Sequence, residues 1–397
     1  MAAGNILCSL FGFILYIYLA RTLMPEAFGY LSYAFTIIFF IYNFVDLGLP
    51  TYGAREVAKE KGRASVYVSE IISFRIILVS ALSALIIIVA YLFYRTSPVA
   101  ILLIESLLIL LTLGVGMEWA YQGLEKMHII FISLTVTSIL QLTLIYTYVR
   151  GPKDLFKVPF LYSLAAFPAE IVFLRLLKFR LMLKVEDLKR MFSYLSSSIV
   201  IWSISLFAQV YNSMDVFLLG LLRPISEVGQ FTIARRVIAS GALLMIFLAN
   251  ALLPRLSSCF HSDKTQFKSA THKFLKLGAL LVAFIFLPAV IFSKELIFVT
   301  VGGNYLAAVR PFQIMTMGLI CVVFNLPYST GLIACGLEKE VLKQSIASAA
   351  LSIISNLVLI PKYGMIGASL SFVFAEALAL VWIVSVYKKK VSIRIKI

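Results

Sequence analysis

Apolar runs long enough to cross a bilayer alternate along this chain with short segments that carry nearly all of its charge. The runs cover approximately 4–23, 28–50, 67–94, 98–120, 128–149, 156–177, 192–221, 228–253, 273–292, 309–334, 341–360 and 364–387. A spanning helix needs about 20 mainly apolar residues, so the pattern predicts twelve of them. The third and seventh runs are long, which predicts tilt or extension beyond the hydrocarbon. The first run starts at Ile6 with no basic segment before it and no A-x-A site after it. It reads as a spanning helix and not as a signal peptide.

Composition makes the solvent explicit. Of 397 residues, 61% are hydrophobic and 14% charged, with mean hydropathy +0.98. Soluble domains are about 45–50% apolar and about 25% charged. No single aqueous core hides that much apolar surface, so the chain is an integral membrane protein. Its net charge of +16 is explained by where the basic residues fall. With the N-terminus placed in the cytoplasm, 22 of the 35 Lys and Arg lie in cytoplasmic segments and nine on the opposite side. That is the positive-inside bias, and it places both termini inside, with the tail KKKVSIRIKI against anionic lipids. Nucleic-acid binding is not needed to explain the charge. Four scattered cysteines and three isolated histidines make neither a disulfide framework nor a metal site.

The chain repeats itself. PEAFGYLSYA (25–34) matches PISEVGQFTIA (224–234) at an offset of 200 residues. FPAE and VFAE match at 206, and the word GLEK recurs at 213. Matches in one order at about half the chain length indicate an internal duplication. Each repeat holds six helices, so both enter the membrane in the same sense, related by an axis along the membrane normal. The expected organisation is a six-helix bundle over 1–180, a cytoplasmic linker over 181–191 and a second bundle with the basic tail over 192–397. The fold class is thus all-α, two six-helix bundles around a central cavity, as a transporter requires. GxSxG, HExxH and Walker motifs are missing, so the chain reads as no enzyme.

Ionisable residues inside spans are costly and mark cavities or partners. Arg75 lies near the inner end of span three, where it snorkels or faces a cavity. Arg235 and Arg236 lie in span eight and point about 100° apart, so both cannot face the same way. Gln209, Asn212 and Asp215 share one side of span seven, a polar face that lines a cavity, and Asp215 is within reach of Arg235 or Arg236. Asp46, in FVDLGLP, is either functional or a helix-end carboxylate paired with a neighbour such as Arg55. Glu118, Trp119 and Gln122 end span four. Gly123 breaks that helix, and Glu125 and Lys126 read as a turn, as do Glu338 and Lys339. Glu105, Gln141, Glu170, Gln313 and Glu376 also fall within spans.

LARTLMPEAFGYLSYA, DLGLPTYGARE, MEWAYQGLEKM, QVYNSMDVFLLGLLRPISEVGQFTIARRV, GGNYLAAVRPFQIM and PKYGMIGASLSFVFAE resemble, in order and spacing, the polysaccharide-biosynthesis exporters of the O-antigen flippase type. These belong to the multidrug/oligosaccharidyl-lipid/polysaccharide exporter superfamily. The resemblance covers essentially the whole chain. It implies a flippase that carries an undecaprenyl-pyrophosphate-linked oligosaccharide across the cytoplasmic membrane by alternating access, beside a polysaccharide polymerase and glycosyltransferases. Arg75, Arg235 and Arg236 would then contact the pyrophosphate, with Asp215, Asn212 and Gln209 in the same cavity. Asp46, Glu118 and Gln122 are candidates for coupling or gating, with H⁺ or Na⁺ as the ion and no other cofactor. Two departures argue against the peptidoglycan precursor as substrate. SLFGFIL in the first span carries no arginine, and the chain has twelve expected spans where lipid II flippases commonly have fourteen. A cation-coupled multidrug antiporter and a non-transporting member of a glycan assembly complex are the alternative readings.

Overall fold

The structure is a computed structural model that describes residues 2–177, 185–262 and 264–391. Every regular element among the described residues is helical. In chain order these are α1 (Ala2–Asp46), α2 (Leu49–Lys59), α3 (Ala64–Phe93), α4 (Pro98–Glu105), α5 (Leu107–Gly114), α6 (Glu118–Gly123), α7 (Met127–Tyr148), α8 (Lys157–Leu176), α9 (Val185–Leu222), α10 (Ile225–Ser262), α11 (Lys264–Leu281), α12 (Leu287–Ile291), α13 (Ser293–Val301), α14 (Val309–Ala334), α15 (Glu338–Tyr363) and α16 (Met365–Val386). The chain forms two compact units, residues 1–213 and 214–397, so the division falls within α9. Of the expected linker, 181–184 lies outside the described residues, as does the end of the basic tail, 392–397; from Val185 onward the linker is the start of α9.

Among the described residues, eleven helical stretches are long and apolar enough to cross a membrane. The first is broken into two helices at Met24, which sits at φ 65° just before Pro25. A proline clashes with helical backbone before it, which puts the break between the first two expected runs.

Two regions depart from the sequence expectation. The second run ends early, at Asp46, where Leu47 and Gly48 take positive φ. The charged stretch that follows, expected as a loop, is the amphipathic helix α2, with Leu49, Gly53 and Val57 buried. Span four is interrupted. It is built from α4, α5 and the one-and-a-half-turn α6, with irregular backbone at Val115–Met117.

Two of the words that carry the resemblance meet inside the first unit. TYGARE lies on α2 and EWAYQG is α6. A side chain at Gly53 would collide with the Trp119 ring, and one at Gly123 would reach the Ala54 carbonyl at 2.5 Å. The two helices therefore pack backbone to backbone, over a core that includes Val57, Ile71, Trp119, Tyr121 and Phe173.

Candidate functional site

The interruption in span four is where the first unit concentrates its buried charge. A helix broken inside a membrane frees backbone groups that find no water. Arg75, on α3 and 1% exposed, answers for the carbonyls. Its Nη1 donates to Gly116 O at 3.1 Å and its Nη2 to Leu113 O at 2.7 Å. Nη2 also donates to the Tyr42 hydroxyl at 2.9 Å. Glu170, on α8 and 6% exposed, accepts the Met117 N–H on the same break. Its Oε2 has no hydrogen-bond partner among the described residues. Of the two sequence readings of Arg75, snorkelling does not occur. The guanidinium is held inside the unit, with Asp46 and Glu118 in electrostatic reach of Tyr42 beside it.

The other candidates of the first unit are more peripheral. Glu118 is half-buried at the start of α6, and Gln122, one turn on, is exposed. Asp46 closes the end of α1 by accepting Gly48 N–H at 2.9 Å. Arg55 is not its partner: that side chain bonds Glu56 at 3.2 Å and lies over the Tyr52 ring. Along α9, Gln209 donates to Ser213 Oγ at 2.7 Å, and exposed Asn212 donates back to Ala208 O at 2.8 Å.

In the second unit the structure brings Asp215 and Arg235 together as an ion pair. Asp215 is 5% exposed and its Oδ1 also accepts Val216 N–H at 2.7 Å. Arg235 is half-buried and Arg236 exposed. The one-residue step around α10 thus separates them as helix geometry requires: one arginine is held by a buried carboxylate, its neighbour is presented outward.

Sequence reasoning missed three polar residues that organise their surroundings. Glu70, buried on α3, accepts the Tyr194 hydroxyl at 2.8 Å. Glu227 accepts Met365 N–H at 2.9 Å and pairs with Arg223 at 3.1 Å. Gln230 donates to Asn304 O at 2.7 Å and accepts Ala308 N–H at 3.1 Å. Glu227 and Gln230 belong to PISEVGQF, and their partners belong to PKYGMIGAS and GGNYLAA. The signal was present in the sequence, since all three words carry the resemblance, but nothing in one chain said that they touch.

Comparison with known proteins then decides the family. The model of the family described as "Polysaccharide biosynthesis protein" matches residues 1–260. The chain belongs to that family. Among its relatives, the capsular polysaccharide biosynthesis protein CapF of Staphylococcus aureus is 23% identical over 399 residues, covering 98% of both chains. A putative O-antigen transporter of Escherichia coli (strain K12) is 21% identical over 375 residues, 91% of this chain and 88% of that one. Among solved structures, the lipid II flippase MurJ in an inward closed conformation aligns with a TM-score of 0.78, at 13% identity, over 98% of this chain and 87% of that one. At that identity the likeness is one of fold. This family member is therefore a multi-pass, all-α membrane protein with the fold of that structure.

Proposed function

We propose that this protein is a flippase that moves a lipid-linked oligosaccharide from the cytoplasmic to the outer leaflet of the cytoplasmic membrane by alternating access. It crosses the membrane twelve times, with both termini inside, and performs no covalent chemistry. The observation that carries this reading is the Asp215–Arg235 pair with Arg236 beside it, in a chain whose relatives include a putative O-antigen transporter.

The physical logic starts from the cargo. A sugar and its pyrophosphate cannot enter hydrocarbon unshielded, while the lipid tail needs no shielding. The protein has to supply cations for the pyrophosphate and release them again. Arg235, already paired, is a cation whose partner an incoming phosphate can replace, and its planar fork suits bidentate binding. Asp215 holds the guanidinium in place when the site is empty and lowers the cost of its burial. It also competes with the cargo, which keeps binding reversible. Exposed Arg236 supplies the first, weaker contact. Arg75 has another role: both of its terminal nitrogens donate to carbonyls of span four, so it holds that break in shape and does not touch cargo.

H⁺ or Na⁺ is the coupling ion in this scheme, with Asp46, Glu118 and Gln122 near the α1 end and the α6 turn as its candidate contacts. The multidrug antiporter reading favours acidic residues over arginines in the cavity; the second unit instead pairs Asp215 with Arg235 and sets Arg236 beside it. A polymerase and glycosyltransferases are the expected neighbours in the membrane. The test is deletion of the gene in its own host. Lipid-linked oligosaccharide should accumulate on the cytoplasmic face, inaccessible to outside reagents. Normal surface glycan and no accumulation would overturn the proposal.

A further inference from the structure

The second unit carries a groove that the flippase reading does not use. It lies between the end of α10 and the start of α11, has a volume of about 400 Å³, and is lined by Leu252, Arg255, Gln266, Ser269, Lys273 and Leu277 among others. Helix α10 ends at Ser262, α11 begins at Lys264, and both line the groove. Helical rise therefore orders the lining by depth. Gln266 and Ser269 lie roughly 3–8 Å along the helix from Lys264, Arg255 and Lys273 roughly 10–14 Å from the ends Ser262 and Lys264, and Leu252 and Leu277 roughly 15–20 Å from them. The groove is polar at its mouth, cationic at mid-depth and apolar at its far end.

The charge in that groove is unbalanced. Arg255 and Lys273 are both exposed, and among the described residues neither makes an ion pair. Helix α11 contributes four lysines and no carboxylate, while its other face is buried through Phe267, Thr271, Phe274 and Gly278. Two like charges facing one groove repel unless an anion sits between them. The leucines below them need apolar cover at the same time. A free phosphate answers only the first demand, and an uncharged lipid only the second.

We propose that this groove holds one anionic phospholipid of the surrounding leaflet, with its phosphate between Arg255 and Lys273 and an acyl chain along Leu252 and Leu277. The depth order is that of a lipid in one leaflet, with the headgroup layer outside and hydrocarbon below. The basic loops place this end of the unit on the anionic cytoplasmic side.

The test uses the full chain purified in a neutral detergent. Binding of phosphatidylglycerol, phosphatidylcholine and inorganic phosphate is followed by native mass spectrometry and by the shift in melting temperature. Phosphatidylglycerol should bind about tenfold or more tightly than phosphatidylcholine, the scale expected of two surface cations, and phosphate alone should not stabilise the protein. The double variant Arg255→Gln, Lys273→Gln should bring the two lipids to within about threefold. Lys268→Gln, on α11 but outside the groove lining, should leave the preference intact, which separates this site from general surface charge. Leu277→Ala, at an exposed position, should weaken phosphatidylglycerol binding. Equal binding of the two lipids, a full effect of phosphate alone, or a preference unchanged in the double variant would each overturn the proposal.

Discussion

Arg75 shows what a single residue does in this membrane. Its guanidinium takes two carbonyls and a hydroxyl beside the break in span four. Removing a buried charged donor strands those acceptors in a medium without water. Arg75→Met should therefore destabilise the protein by about 3 kcal/mol, and Arg75→Lys should recover only part of this, since an ammonium cannot span the separated acceptors. Melting of the purified protein measures both. Equal stability of the Met variant and wild type would contradict the assignment. Asp215 and Arg235 make a different case. Asp215→Ala removes the carboxylate beside half-buried Arg235 and should cost about 3–5 kcal/mol, whereas the double variant Asp215→Ala, Arg235→Ala should cost less than the sum of the single changes. Additive losses would mean that the pair is not coupled.

Among elements, the repeated word GLEK shows where sequence identity stops determining structure. In the first unit Gly123 ends α6 and is required because Ala54 and Val57 approach it; the left-handed residue there is Glu125, at φ 60°. In the second unit Gly336 itself takes φ 69° with nothing within 4 Å of an added Cβ, and Glu338 already starts α15. Gly336→Ala should cost about 1 kcal/mol from backbone strain alone. Gly123→Ala should cost about 1–3 kcal/mol from overpacking against α2. Unfolding midpoints of the two variants compare them directly, and the reverse order would sink the distinction. The first turn is also tied to the segment after α2 by Lys61 and Glu125, 2.7 Å apart. That bond holds the Glu125 carboxyl below the usual carboxylate range. Its folded value is the lower one, so the contribution is complete above the ordinary carboxylate range and is lost as pH falls through the folded value. Both groups are exposed, so the effect is small and fades with salt. Glu125→Gln should remove it, which a comparison of melting at pH 7 and below pH 4 in low salt would reveal.

These particulars explain what could be read from the sequence. The spans were legible because hydrocarbon imposes a length and excludes charge, a constraint that each run meets alone. The Asp215–Arg235 pair was legible because an intramembrane carboxylate near an arginine has few other partners. The cap on span four was not, because it depends on Arg75, Glu170 and backbone at Leu113 to Met117, brought together from three separate elements. Helix α2 was read as loop because its charges outweigh three buried positions. The contacts of Glu227 and Gln230 join words well over a turn of sequence apart, and one chain carries no record of distance in space.

For the whole molecule, the apolar spans and the family fit the proposed activity of passing a sugar-bearing lipid across the membrane. The two units divide the labour in that account. The first holds a polar break in span four under a committed arginine, and the second holds an arginine whose partner can be exchanged. The account's central claim is that Arg235 and Arg236 receive the pyrophosphate. Glycan export should be measured in cells lacking the native gene and expressing Arg235→Ala, Arg236→Ala or the double variant at wild-type protein levels. The account predicts reduced export in each single variant, near loss in the double one, and accumulation of the lipid-linked oligosaccharide inside. Undiminished export by the double variant at normal abundance would contradict it.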